Sequence, residues 1–179
     1  MKGILRDGEE SLRFSCGIGR GSLMKLVSAC LLGIRCNWNG TDEYRNEKII
    51  KLLKDEVLIP ICPEQLGGLK TPRIPQEIQS GTGEDVLNGK SRVKNKAGED
   101  VTLEFIRGAE EALKIARQYN IKEFIGKSRS PSCGCGLIYD GSFSGKLIRG
   151  DGVTSALFKR NGIKVIDEED WWIQEVENG

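Results

Sequence analysis

The sequence contains no histidine. That absence removes Cys-His and Ser-His-Asp nucleophile pairs, mixed Cys/His zinc sites and the commonest general base near neutral pH. Proton transfer falls to carboxylates, lysine, tyrosine, hydroxyls or water. Net charge is almost absent too: 27 basic residues against 26 acidic ones leave +1, no electrostatic footprint for nucleic acid or an anionic membrane surface. No stretch approaches the ~20 apolar residues of a bilayer span, and the first residues show no basic segment followed by an apolar one. The expectation is a cytoplasmic protein, monomer or homodimer, with a small-molecule partner, no membrane association, and nucleic acid disfavoured.

Six cysteines are present, at positions 16, 30, 36, 62, 133 and 135. A reducing cytoplasm argues against structural disulfides, which leaves metal binding or catalysis. No C-x2-C occurs among them; the spacings are C-x5-C, C-x25-C and C-x-C. Spacing therefore disfavours both a zinc ribbon and a thioredoxin-type redox pair.

Residues 1–23 show no clear periodicity and read as a poorly structured N-terminal appendage, with Cys16 a free thiol, so that residues 24–179 form a single domain and Met24 is a candidate start. From there strands and helices alternate. Lys25 to Ala29 reads as a buried strand, Arg45 to Lys54 as a helix, and Val57 to Cys62 as the next strand. "PEQLGGLKTPRIPQEI" is too punctuated for regular structure and too apolar for a linker, and a long structured loop usually binds something. Val86 to Val93, around "NGK", reads as a hairpin; Asp100 and Thr102 are N-cap candidates for a helix ending at Asn120. "IKEFIGK" is a strand, "GLIYDGSFSGKLI" a hairpin around Asp140-Gly141, "GVTSALFKRNG" a helix and "IKVID" a last strand.

This alternation predicts an α/β fold, a mostly parallel Rossmann-like sheet with helices on both faces. Ligands of such sheets sit beyond the C-terminal strand ends. Cys30, Cys62 and Cys133 each follow a predicted strand, so three thiols distant in sequence are expected to meet at one sheet edge. Three thiolates without histidine suit zinc or three corners of a [4Fe-4S] cubane.

Longer motifs bear on that choice. "SACLLG" followed by Cys36, "CPEQLGGLKTPR" at 62–73, "SPSCG" at 130–134 and "GDGVTSAL" at 150–157 together resemble the thiouracil desulfidase family, over about Met24 to Glu168. The resemblance implies a [4Fe-4S] cluster on Cys30, Cys62 and Cys133, with an iron open to the sulfur of a thiocarbonyl small molecule such as 2-thiouracil. It implies non-redox desulfurisation to the oxo compound and sulfide. Glu64 would handle the proton of the attacking water, and Ser130 would position the reacting group. Cys36, also in the motif, is either a ligand or a packing residue, and Cys135 an alternative ligand or a loop thiol.

Other residues carry plainer readings. Gly67 and Gly68 are expected to permit positive φ. Arg73 and Lys127 are solvated or meet an anionic substrate group. Asp151 is a capping candidate, with its helix N-terminus an anion site. Trp171 and Trp172 cover the core or a dimer surface. Two rival functions stand beside the enzyme: a cluster-based sulfur carrier for tRNA thiolation, and a structural thiolate–metal protein.

Overall fold

The computed structural model describes residues 24–170. The expected appendage, Cys16, Trp171 and Trp172 lie outside that range. Four strands, β1 (Met24–Ser28), β2 (Val57–Ile61), β5 (Glu123–Gly126) and β8 (Lys164–Asp167), form one parallel sheet in the order β2-β1-β5-β8. The α/β sheet read from the sequence is present. Because β1 hands the chain to β2 on one side and pairs with β5 on the other, the order reverses between β1 and β5. That is the switch point where such sheets open a crevice.

Both faces of the sheet are apolar and both are covered, as parallel strands require. On one face Leu26, Ile61 and Phe124 pack against Ala112, Leu113 and Ala116 of α4 (Thr102–Gln118) and Phe158 of α5 (Val153–Arg160). The rings of Phe124 and Phe158 meet edge to face at 5.1 Å. On the other face Val27, Ile125 and Ile166 pack against Ile49 of α1 (Glu47–Lys51). Adjacent residues point to opposite faces, so Leu26 and Val27, both fully buried, serve different layers. Each such side chain contributes ~1.5–3 kcal/mol.

A second, smaller sheet supplies a third core. β3 (Gln76–Gln79) pairs antiparallel with β4 (Arg92–Asn95), with Ile78 and Val93 packed on Phe105 and Ala109 of α4. Here the expected hairpin at Val86 to Val93 is corrected. Val86 and Leu87 end a short helix, α3 (Gly83–Leu87), opened by a reciprocal Thr82–Asp85 capping box. Asn88-Gly89, with Gly89 at φ 71°, terminates that helix instead of turning a hairpin.

The remaining expectations differ in detail. Helix α1 is shorter than Arg45 to Lys54 and continues as a 3-10 turn over Leu52–Lys54. Asn46 caps it, accepting from the backbone N–H groups of Lys48 and Ile49. At α4 the N-cap position is Val101, with Asp100 accepting from Thr102 N at 2.9 Å, and Thr102 Oγ1 instead accepting from Val93 N. The second hairpin is present, with β6 (Leu137–Tyr139) antiparallel to β7 (Leu147–Arg149).

Candidate functional site

Three loops leave the C-terminal ends of the parallel strands. The β1 loop begins with a 3-10 turn over Ala29–Leu32 and carries Cys30 and Cys36. Cys62 is the N-cap residue of the four-residue helix α2 (Pro63–Leu66), which follows β2 directly. Gly67 allows α2 to lie against α4: a Cβ there would stand 2.0 Å from the carbonyl oxygen of Glu104. Close approach is thus its role, and of the expected positive-φ pair only Gly68 has it, at 101°.

The third loop, 127–136, is held by its surroundings. Gly126 ends β5 where a Cβ would be 2.1 Å from the carbonyl of Cys133, so only glycine lets the loop fold back onto its own strand. Helix α5 then grips the loop from the other side: Val153 N donates to Pro131 O, Thr154 N to Ser132 O, and Ser155 Oγ to Cys133 O. The first N–H groups of α5 are therefore spent on the cysteine loop, and the expected anion site at this helix end is corrected. Asp151 does not cap α5 either; its Oδ1 accepts from Gly136 N and pairs with Lys159.

The loops enclose one cavity of about 400 Å³ at the β1/β5 switch point, within the range of small-molecule sites. Cys30, Cys36, Cys62 and Cys133 all line it, as do Glu64 and Ser130; Cys135 does not. Cys30, Cys36 and Cys133 are buried and Cys62 is partly so. Among the described residues no three Cys, Asp or Glu groups gather tightly enough to clasp one metal ion. The thiols stand around a space. Cys36 lies within hydrogen-bonding reach of Cys30 and Cys62, Cys133 lines the same cavity from the third loop, and separate thiols on one cavity fit a cubane, whose irons each take their own cysteine.

Electrostatics around the thiols favour the protonated form. Its hydrogen bond with Cys30, reinforced by burial and opposed by Cys62 and Arg73, pushes the Cys36 thiol up to about 12. Hydrogen bonding to Cys36, then burial, then the charge of Glu64 push Cys62 far up. Burial pushes Cys133 up to about 12, against the pull of Ser28. A metal taken up here must displace these protons and supply positive charge.

Two residues expected to be solvated or to meet substrate are otherwise engaged. Arg73 is 9% exposed and donates through Nε to Glu64 Oε2 at 2.5 Å and through Nη1 to Cys36 O at 3.0 Å. Burial opposes its charge, yet Glu64 outweighs that and leaves its pKa raised. Arg73 thus fixes Glu64 on the cavity wall and ties the Cys36 loop to the Cys62 loop. Lys127 pairs with Glu168 at 3.0 Å and lies over the Tyr44 ring at 4.7 Å. Its ammonium is satisfied by protein.

Ser130 Oγ accepts from Ser132 N and Cys133 N, both at 3.1 Å. With its lone pairs so used, its proton is left to donate into the cavity. The neighbouring Arg129 has φ 62°, a conformation costly for a non-glycine residue and concentrated at functional sites. Sequence reading missed one more wall residue, Glu77 of β3. It is 7% exposed, lines the cavity, and takes part in no ion pair among the described residues. The only signal was its place in "PQEI", at the end of the loop already singled out.

Known proteins resemble this chain over most of its length. The chain is 50% identical over 147 residues to YbbK of Bacillus subtilis (strain 168), an uncharacterized protein, spanning 82% of this chain and 97% of that one. It is 37% identical to the solved structure of the [4Fe-4S]-dependent thiouracil desulfidase TudS, with a TM-score of 0.75 over 87% of this chain and 97% of that one. Residues 26–170, which hold all of the parallel sheet but the first two residues of β1 and every cavity loop, match one family throughout, and the chain belongs to the 2-thiouracil desulfurase family.

Proposed function

We propose that this protein removes sulfur from a thiocarbonyl small molecule of the 2-thiouracil type, releasing the oxo compound and sulfide, with Cys30, Cys62 and Cys133 holding a [4Fe-4S] cluster. The observation that carries the reading is the single cavity at the switch point, ringed by thiols and containing one partly buried, arginine-held carboxylate. The solved relative named a [4Fe-4S]-dependent thiouracil desulfidase supports it. Held by those cysteines, such a cluster would supply Lewis acidity toward a thiocarbonyl sulfur without net electron transfer.

The chain's own residues do the rest. Glu64, with Oε2 engaged by Arg73 Nε, presents its other oxygen to take a proton from water as that water adds to the thiocarbonyl carbon. Ser130, its acceptor capacity used by two backbone N–H groups, donates to a heteroatom of the reacting group. Loop carbonyls held by α5 keep Cys133 and Ser130 in fixed relation. Cys36 stands beside both Cys30 and Cys62 as a supporting thiol, and Cys135, whose Sγ meets Val165 O at 3.7 Å, lies apart from the cavity.

The deciding experiment is anaerobic reconstitution with iron and sulfide, followed by iron counting, the visible spectrum and sulfide release from 2-thiouracil. About four irons per chain with sulfide released is the expected result. Iron uptake with release only when a partner protein is added would replace the enzyme with a sulfur carrier. No iron uptake would overturn both.

A further inference from the structure

The strongest unabsorbed feature of the cavity is a carboxylate. Glu77 is 93% buried by its 7% exposure, and buried carboxylates are almost always paired with a cation. Glu77 is not. Its neighbour across the β3–β4 ladder is Lys94, which is exposed and beyond ion-pair distance. The cavity's own cations are occupied elsewhere, Arg73 by Glu64, Lys127 by Glu168 and Arg129 by Glu169. One hydrogen bond reaches the carboxylate: Phe143 N, on the tip of the β6–β7 hairpin, donates to Oε2 at 2.9 Å. Oε1 accepts nothing among the described residues, and Glu77 lines the cavity wall.

The position is also fixed. Gln79 Nε2 donates to Gly141 O at 3.0 Å, and the hairpin passes so close to β3 that a Cβ on Gly141 would be 2.4 Å from Ile78 O. Glu77 is therefore a rigid, one-sided acceptor presented to whatever fills the cavity, on a different element from Glu64 and Ser130. A carboxylate so placed wants an N–H donor, and a carboxylate–N–H hydrogen bond is among the stronger neutral-ligand contacts a site can offer.

We infer that Glu77 is a specificity-determining residue that accepts a hydrogen bond from a ring N–H of the substrate, so that the site selects cyclic thioamides and thioureas carrying a free N–H. This rests on the desulfurisation reading for the kind of ring, but not on the reaction. Glu77 holds the ring while Glu64 and Ser130 address the thiocarbonyl. A substrate alkylated on that nitrogen loses the bond and leaves the carboxylate buried and unpaired, which penalises it twice.

The test separates recognition from reaction. Iron-loaded wild type, Glu77→Gln and Glu77→Ala are titrated calorimetrically with uracil, 1-methyluracil and 3-methyluracil, none of which has sulfur to release. Wild type is expected to bind uracil and to lose roughly tenfold or more on methylation of one nitrogen. Glu77→Ala should bind uracil about tenfold more weakly and no longer discriminate, whereas Glu77→Gln, which keeps a carbonyl acceptor, should retain part of both. Iron content should be the same in all three. If Glu77 only anchors the hairpin through Phe143, Glu77→Ala lowers the melting temperature but leaves N–H discrimination intact, and the inference falls. Failure of wild type to discriminate also overturns it. Sulfide release from 2-thiouracil is read in parallel: discrimination without release removes the proposed reaction and leaves this inference, and release without discrimination does the reverse.

Discussion

The two ends of the parallel sheet bury charge in opposite ways. At the N-terminal end, Lys25 of β1 is 7% exposed and lies 2.8 Å from Glu56 and 3.3 Å from Glu123. Burial works against its charge, but the two carboxylates prevail and its pKa is raised. At the C-terminal end, four thiols and Glu77 line a cavity whose cations, Arg73, Lys127 and Arg129, are each paired with another carboxylate, and Arg129 sits at positive φ. One end closes the fold electrostatically. The other leaves groups waiting for a ligand, which is how a binding site differs from a structural ion pair of similar burial.

The sharpest break of the comparison is at the thiols. Cys133→Ala should abolish iron uptake on reconstitution while Cys135→Ala loads normally, as read by iron per chain and the visible spectrum; equal loading in both would remove Cys133 from the site. Next is the carboxylate: Glu64→Gln should load iron yet lose ~10²–10⁴-fold in sulfide release. Turnover at the wild-type rate would exclude Glu64 from proton transfer. Arg73→Met should lose roughly 100-fold in kcat by misplacing Glu64, and destabilise the fold by ~3–5 kcal/mol because the carboxylate is left buried alone. Arg73→Lys should recover part of both, and urea unfolding beside steady-state kinetics checks them together.

The smallest functional effect is expected at the closed end. Lys25→Met should leave kcat and KM within about twofold, while costing ~3 kcal/mol. The sign follows from the raised pKa: Lys25 contributes its stability below the unfolded value of 10.5 and loses it as pH rises through the higher folded value. The stability gap between wild type and Lys25→Met should therefore be flat from about pH 6 to 10 and shrink only above. A gap that closes already near pH 8 would show that the pair does not hold Lys25 charged.

Much of this was legible in the chain. Strand–helix alternation dictated the parallel sheet, and the position of Cys30, Cys62 and Cys133 just after strands brought them to one edge, since parallel strands share a C-terminal end. Asn88-Gly89 misled because the same pair serves a two-residue hairpin and a helix C-terminus, both needing positive φ. The Thr82-x-x-Asp85 capping signal three residues before Asn88 was the better cue. Arg73 and Glu77 were illegible for a different reason. They lie at the end of a proline- and glycine-rich stretch without periodicity, where sequence shows that a charge exists but not whether the fold turns it inward.

The grip of α5 on the Cys133 loop has a consequence for maintenance. The carbonyls of Pro131, Ser132 and Cys133 are satisfied by N–H and hydroxyl groups of α5, and Cys30 and Cys62 are rooted at the ends of core strands. Zinc fingers, by contrast, unfold when their metal leaves. Here those contacts lie within the polypeptide, so loss of a bound group would break none of the bonds that place its cysteines.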